Sequence, residues 1–244
     1  MALELYDRIG TSYAKFRKPD PRIAAAIREA IGDAKRIVNV GAGTGSYEPP
    51  DCDVVAVEPS KTMIRQRPAD AAPVVRASAM DLPFRDNTFD AALAMFTVHH
   101  WPDQADGLRE LARVAKRRVI LTWDPEHLGT WLTRDYFPQI NELGRAYCLR
   151  IHRYRELLDD VKIMPVTVPC DCTDGFLHAY WARPRAYLDP GIRSGISVFS
   201  NLDGLDAGLD RLKHDLDMGI WESRNAHLMS LNELEAGYRL IVSN

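Results

Sequence analysis

Cysteine is scarce, at four in 244 residues. A secreted disulfide scaffold would carry more, so the four are expected to be cytosolic thiols. Long apolar runs are missing too: stretches such as Ala91–Phe96 fall far short of the roughly 20 residues a membrane span needs. Neither sign of charge dominates. Lys+Arg is 31 and Asp+Glu is 34, a net charge of −3. That balance argues against general nucleic-acid binding and against attraction to an anionic membrane. The opening MALELYDRIG lacks a basic flank followed by an apolar core, so a signal peptide is not expected. Repeats, low-complexity blocks and Gly/Ser linkers are likewise absent from the sequence. A composition of 46% hydrophobic and 27% charged residues then predicts a globular, cytoplasmic chain with a sizeable core.

The first half alternates helical and strand-like segments. Residues 3–17 place Leu5, Ile9, Tyr13 and Phe16 at helical spacing. A second helix starts with Asp20 as N-cap and Pro21 behind it, and Ile23, Ile27 and Ile31 form its apolar face. Strands are expected at 36–40, 53–57, 73–76, 89–96 and 119–122, with helices after Ser60 and over 103–115. Five strands mostly separated by helices predict a Rossmann-like, doubly wound α/β sheet. Two further strands at 163–168 and 238–242 make it seven-stranded and mostly parallel. The aromatic, mostly helical stretch between those two predicts a helical cap inserted late in the chain.

The strongest motif is Val38-Asn39-Val40-Gly41-Ala42-Gly43-Thr44-Gly45, a buried strand running into three alternating glycines. Such glycines allow a sharp turn and let a ligand lie against the main chain. Glu58 ends the second strand, where an acid accepts hydrogen bonds from ribose hydroxyls. Asp81 follows the third strand, where a carboxylate could accept an adenine amine. The spacing is G-x-G-x-G, and Ser46 stands where the third dinucleotide glycine would fall. Pro49 and Pro50 leave room for a turn of helix at most. Both features disfavour NAD and FAD, and the missing Walker lysine disfavours a P-loop.

These residues, with Val57-Glu58-Pro59-Ser60-Lys61-Thr62-Met63, Ala79-Met80-Asp81-Leu82-Pro83-Phe84 and the stretch from Asn87 to Trp101, resemble the class I S-adenosylmethionine-dependent methyltransferases. The resemblance is to the small-molecule type that includes the ubiquinone/menaquinone and trans-aconitate methyltransferases, and it covers residues 36–124. It implies S-adenosyl-L-methionine as cofactor, S-adenosyl-L-homocysteine as product and a small-molecule acceptor. It also implies that Gly41, Ala42, Gly43 and Gly45 approach the methionine and ribose portions. Glu58 and Pro59 would meet the ribose, Met63 and Met80 would pack by the adenine, and Ala79, Asp81 and Phe96 would complete the site. Two departures stand out: Asn39 replaces the usual acid two positions before the first glycine, and the following helix is very short. On this reading residues 1–124 hold the cofactor, 125–235 form the cap and substrate region, and 236–244 are the last strand of one domain.

His99 and His100 follow the fourth strand, where a histidine could take a proton from an acceptor. His100 matches a position near the cofactor sulfur in related enzymes. A base there would make the rate rise with pH through about 6.5. Either imidazole could instead satisfy loop carbonyls or position substrate. Tyr13 and Arg17 are candidates for the cofactor carboxylate. The basic, aromatic run from Arg145 to Arg155 could recognise an acidic substrate or be a solvated helix face. Cys170-Asp171-Cys172 lacks the usual metal spacing, so no metal is expected. The competing readings are a cofactor-binding protein that does not methylate, and an NAD oxidoreductase, which the glycine spacing opposes.

Overall fold

The computed structural model describes residues 16–244. The helix expected over 3–17, and Tyr13 with it, lies outside them apart from Phe16 and Arg17. Helix α1 (Pro21–Ile31) begins where the Asp20 side chain accepts the Arg22 backbone N–H and proline occupies the first turn. It stops at Gly32, whose φ of 68° few other residues adopt cheaply. Ile23, Ile27 and Ile31 face the sheet, and burying each is worth about 1.5–3 kcal/mol.

The strands are β1 (Arg36–Val40), β2 (Asp53–Val57), β3 (Val74–Val75), β4 (Phe89–Met95), β5 (Ala115–Trp123), β6 (Lys162–Pro169) and β7 (Glu233–Ser243). They form one seven-stranded sheet in the order β3-β2-β1-β4-β5-β7-β6. β7 runs antiparallel to β5 and β6, and the other neighbours are parallel. Alternation splits the core: Ile37, Leu93, Val119 and Leu121 pack on one face, and Val38, Val40, Ala92 and Ile120 on the other.

Between β1 and β2 there is no α-helix, only turns, as Pro49 and Pro50 foretold. The short α2 (Lys61–Arg65) is capped by Ser60, whose hydroxyl accepts the Met63 N–H. Helix α3 (Gln104–Val114) is capped by Asp103. It passes straight into β5, four residues earlier than the sequence pattern suggests. Phe89 pairs with Ala115 and Ala91 with Arg117, so ladder pairing overrides the helical period there.

After β5 come α4 (Gln139–Tyr147) and α5 (Ile151–Leu157). The excursion between β6 and β7 holds α6 (Pro190–Ser194), α7 (Leu205–Asp217) and α8 (Ile220–Asn225), with 3-10 turns before α6, between α6 and α7, and after α8. Its aromatics form core with Trp131, which follows β5. Trp131, Tyr187 and Trp221 meet edge to face, with centroids 5.7 and 5.1 Å from Trp131. No helix among the described residues is long and apolar enough to cross a membrane.

Candidate active site

The strand order reverses between β1 and β4, because β1 continues toward β2 on one side and β4 toward β5 on the other. A crevice opens at the carboxyl ends of such a pair. Here it is a cleft of about 1200 Å³, counting the space at its open mouth. Its floor is the glycine loop. The N–H groups of Gly41 and Ala42 both donate to the Val57 carbonyl, at 2.8 and 3.0 Å, tying the loop to the end of β2. Gly41 has φ +68°, and a Cβ there would lie 2.0 Å from Thr97 Oγ1. Only glycine lets β1 and β4 end this close together.

Gly41, Ala42 and Gly43 line the cleft, and Gly45 does not. The third glycine serves the turn: its φ is +96°, and a Cβ would press within 3.2 Å of Glu48 Oε2. Glu48 is the anchor of a loop that has no helix to hold it. Its carboxylate accepts both an Arg67 Nη2 hydrogen bond (2.8 and 2.9 Å) and the Asn39 Nδ2 hydrogen bond (3.2 Å). Arg67 Nη1 donates to the Gly43 carbonyl. Because Asn39 Nδ2 is fixed on Glu48, its Oδ1 is left buried with no protein partner on the cleft wall.

Glu58 is buried and bridges two elements. Oε2 accepts the Gly43 N–H and Oε1 the Ser60 N–H, each at 2.8 Å. Pro59, Met63, Ala79, Met80 and Phe96 line the same cleft. Asp81 does not: it is exposed, outside the lining. A local bridge between Ser78 and Asp81 turns the chain so that Ser78, Ala79 and Met80 face the cleft instead.

Phe96 adopts φ +54°, rare for a bulky residue and a form of strain found at functional sites. Its ring meets Phe176 at 5.2 Å and Tyr238 at 5.6 Å, with the Arg17 guanidinium 5.6 Å away. Arg17 lines the cleft, but its Nε and Nη2 are held by Asp174, at 2.6 and 3.3 Å. Asp174 is fully buried and also accepts the Tyr47 hydroxyl at 2.9 Å. Tyr47, Asp174 and Arg17 therefore join the glycine loop, the segment after β6 and the chain entering α1. Sequence reading missed Tyr47, Glu48, Arg67 and Asp174. The one local signal was a tyrosine and an acid immediately after a glycine loop that lacks a helix.

His100 lines the cleft and His99 lines a second groove beside it. The two rings lie 3.9 Å apart. Burial, then the Arg17 charge, pushes His99 down to about 4. Burial and the neighbouring His99 and Arg17 push His100 well below its ordinary value. Burial also takes His178 down to about 3. In the opposite sense, burial raises the Cys172 thiol to about 12, so it is no thiolate at neutral pH.

These histidines set a pH dependence of stability. Above about pH 6.5 they are neutral in both folded and unfolded chains and contribute no slope. From about 6.5 down to 4 the unfolded chain binds protons that the folded chain refuses, so stability falls with pH. Urea midpoints should be level from pH 8 to 6.5 and drop by pH 5. His178→Asn should shallow that drop, and an unchanged slope would remove His178 from the account.

The methyltransferase domain family matches residues 38–122. A demethylmenaquinone methyltransferase from Thermus thermophilus is 30% identical over 149 residues, covering 54% of this chain and 68% of that protein. One from Corynebacterium kroppenstedtii is 37% identical over 92 residues, 36% of this chain and 40% of that protein. This chain spans about two-fifths or less of the length of several curated relatives it matches. A solved structure from Anabaena variabilis, assigned as a methyltransferase to an antibiotic biosynthesis pathway, superposes with a TM-score of 0.86 at 29% identity. It covers 94% of this chain and 99% of its own. The chain belongs to the class I S-adenosylmethionine-dependent methyltransferases.

The residues present fit that cofactor. Bare backbone at Gly41 and Gly43 leaves a cradle that a Cβ would fill at Thr97 and at Met63 Cε. The unpaired Asn39 Oδ1 is an acceptor for an ammonium donor. Glu58 presents a buried carboxylate on the cleft wall, the chemistry that accepts hydroxyl donors, and the buried Met63 offers an apolar wall.

Proposed function

We propose that this protein transfers a methyl group from S-adenosylmethionine to a small-molecule acceptor, in the cytoplasm. The observation that carries the reading is Glu58, fixed between Gly43 and Ser60 at the reversal of strand order, facing an unpaired Asn39 oxygen in one cleft. The four thiols suit a reducing compartment. The demethylmenaquinone relatives support a small-molecule acceptor.

The bound cofactor supplies a methyl group on a sulfonium, already a good leaving group. What the chain must do is hold the cofactor's ends, seat the acceptor and exclude water. Asn39, Glu58 and Met63 do the first. Phe96, His100 and Trp101 form the wall against which an acceptor is seated, with Phe176 packed against the Phe96 ring. His100 stays neutral near pH 7 and lines the cleft, where a neutral imidazole orients an acceptor by its polar edge. Its lowered pKa makes it a weak proton acceptor, which favours positioning over general base catalysis.

Two measurements follow. Incubation with S-adenosylmethionine and a panel of acids, phenols, amines and thiols should release S-adenosylhomocysteine only with a matching acceptor. Tight cofactor binding with no acceptor-dependent release from any class would favour the non-methylating reading. With an acceptor found, turnover should be level from about pH 6 to 8 rather than rising through 6.5. His100→Gln should keep turnover within about tenfold of wild type. A loss of about 10²–10⁴-fold with a rise near 6.5 would restore His100 as the base.

A further inference from the structure

Beside the cofactor cleft lies a second groove, of about 990 Å³ counting its open side. The two share one wall, Trp101 and Pro102, and the adjacent pair His99 and His100, their rings tilted at 49°, contributes one ring to each. The far side of the groove is built by the end of α4 and the start of α5. That corner brings three guanidinium groups, Arg145, Arg150 and Arg153, to one cavity of a chain whose net charge is −3.

Their charge is only partly answered. Among the described residues no carboxylate lies within ion-pair distance of Arg145. The nearest acid to Arg150, Glu126, is 4.0 Å away, too far for a hydrogen bond. Arg153 is paired with Glu156. The one carboxylate lining the groove, Asp103, is turned to its own helix, where Oδ1 accepts the Asp106 N–H at 2.9 Å. His99 is neutral near pH 7, so the positive charge in the groove is that of the arginines alone. Tyr147 stands in the same groove with half its surface exposed, held at its backbone by Gln104 Nε2 donating to its carbonyl at 2.6 Å.

We propose that this groove is the anion-binding arm of the acceptor site, taking a planar acceptor that carries a carboxylate or phosphate. The oxyanion would sit between Arg145 and Arg150, whose planar forks match either group. The ring would lie along Tyr147 and Trp101, and the methyl-accepting atom would reach past the shared wall toward His100. The inference rests on the neighbouring cleft holding S-adenosylmethionine.

The test titrates benzoate and phenyl phosphate, with neutral benzyl alcohol as control, into the protein saturated with S-adenosylhomocysteine. Calorimetry reads the affinities for wild type and the exposed double variant Arg145→Gln/Arg150→Gln. At least one anionic probe should bind wild type, weaken as salt rises, and lose on the order of tenfold or more in the variant. The tighter of the two probes tells carboxylate from phosphate. S-adenosylhomocysteine affinity should be the same in both proteins. Failure of both anions to bind overturns the proposal, as does equal affinity in wild type and variant, or benzyl alcohol binding as well as the anions. Failure of S-adenosylhomocysteine to bind folded wild type would instead overturn the functional reading itself.

Discussion

Asp174→Ala should cost about 3–5 kcal/mol of folding stability, the scale of stripping one partner from a buried ion pair. The carboxylate is fully buried and takes three hydrogen bonds, two from Arg17 and one from Tyr47. Its removal takes a counter-charge from a nearly buried guanidinium and leaves a buried hydroxyl short of an acceptor. Around it the chain is stitched further: Gly175 N–H donates to the Phe16 carbonyl, and Asp20 accepts the Thr173 N–H. Loosening this seam should therefore also weaken S-adenosylhomocysteine binding, since Tyr47 and Arg17 both line the cleft. Asp174→Asn can still accept the Tyr47 hydroxyl and should lose less. Chemical denaturation measures both variants. A loss under about 1 kcal/mol for Asp174→Ala would show that water replaces the carboxylate without penalty.

Glu48→Ala should be comparably damaging, again about 3–5 kcal/mol. Arg67 and Glu48 side chains are 4% and 9% exposed, so the variant strands a cation inside the protein. The Asn39 amide and the Ala72 N–H lose their acceptor as well. The ion pair rather than either residue alone is the unit here. The double variant Glu48→Leu/Arg67→Met should accordingly be more stable than Glu48→Ala, because no unpaired charge remains buried. A double variant less stable than the single would contradict this assignment.

The sheet was legible because most strands hold a short β-branched run, and β4 an unbroken apolar one, each separated from the next by turn or helix signals, and the seven-strand, mostly parallel arrangement follows from that alternation. The glycine loop was legible for a stronger reason: Gly41 occupies a spot where a side chain would collide with Thr97, so sequence and geometry state one constraint. Glu58 was legible from its place at a strand's end. Asp81 illustrates the limit. Its position after β3 is right, but which residues of a tight bridge face inward depends on the turn, not on spacing, and Ser78 to Met80 take the wall. His99 and His100 differ in the same way, facing two cavities from consecutive positions. Asp174 and Tyr47 are 127 positions apart, so no local pattern joins them. The cap's short helices escaped because the aromatics there pack edge to face into a core and follow no single period.

The central claim is that the cleft at Glu58 holds S-adenosylmethionine, and calorimetric titration of S-adenosylhomocysteine into wild type and Glu58→Ala tests it most directly. Wild type should bind with one site per chain. Glu58→Ala should bind more weakly by about 1–3 kcal/mol, the scale of lost charged hydrogen bonds. No binding to well-folded wild type, or an affinity that Glu58→Ala leaves unchanged, would contradict the account.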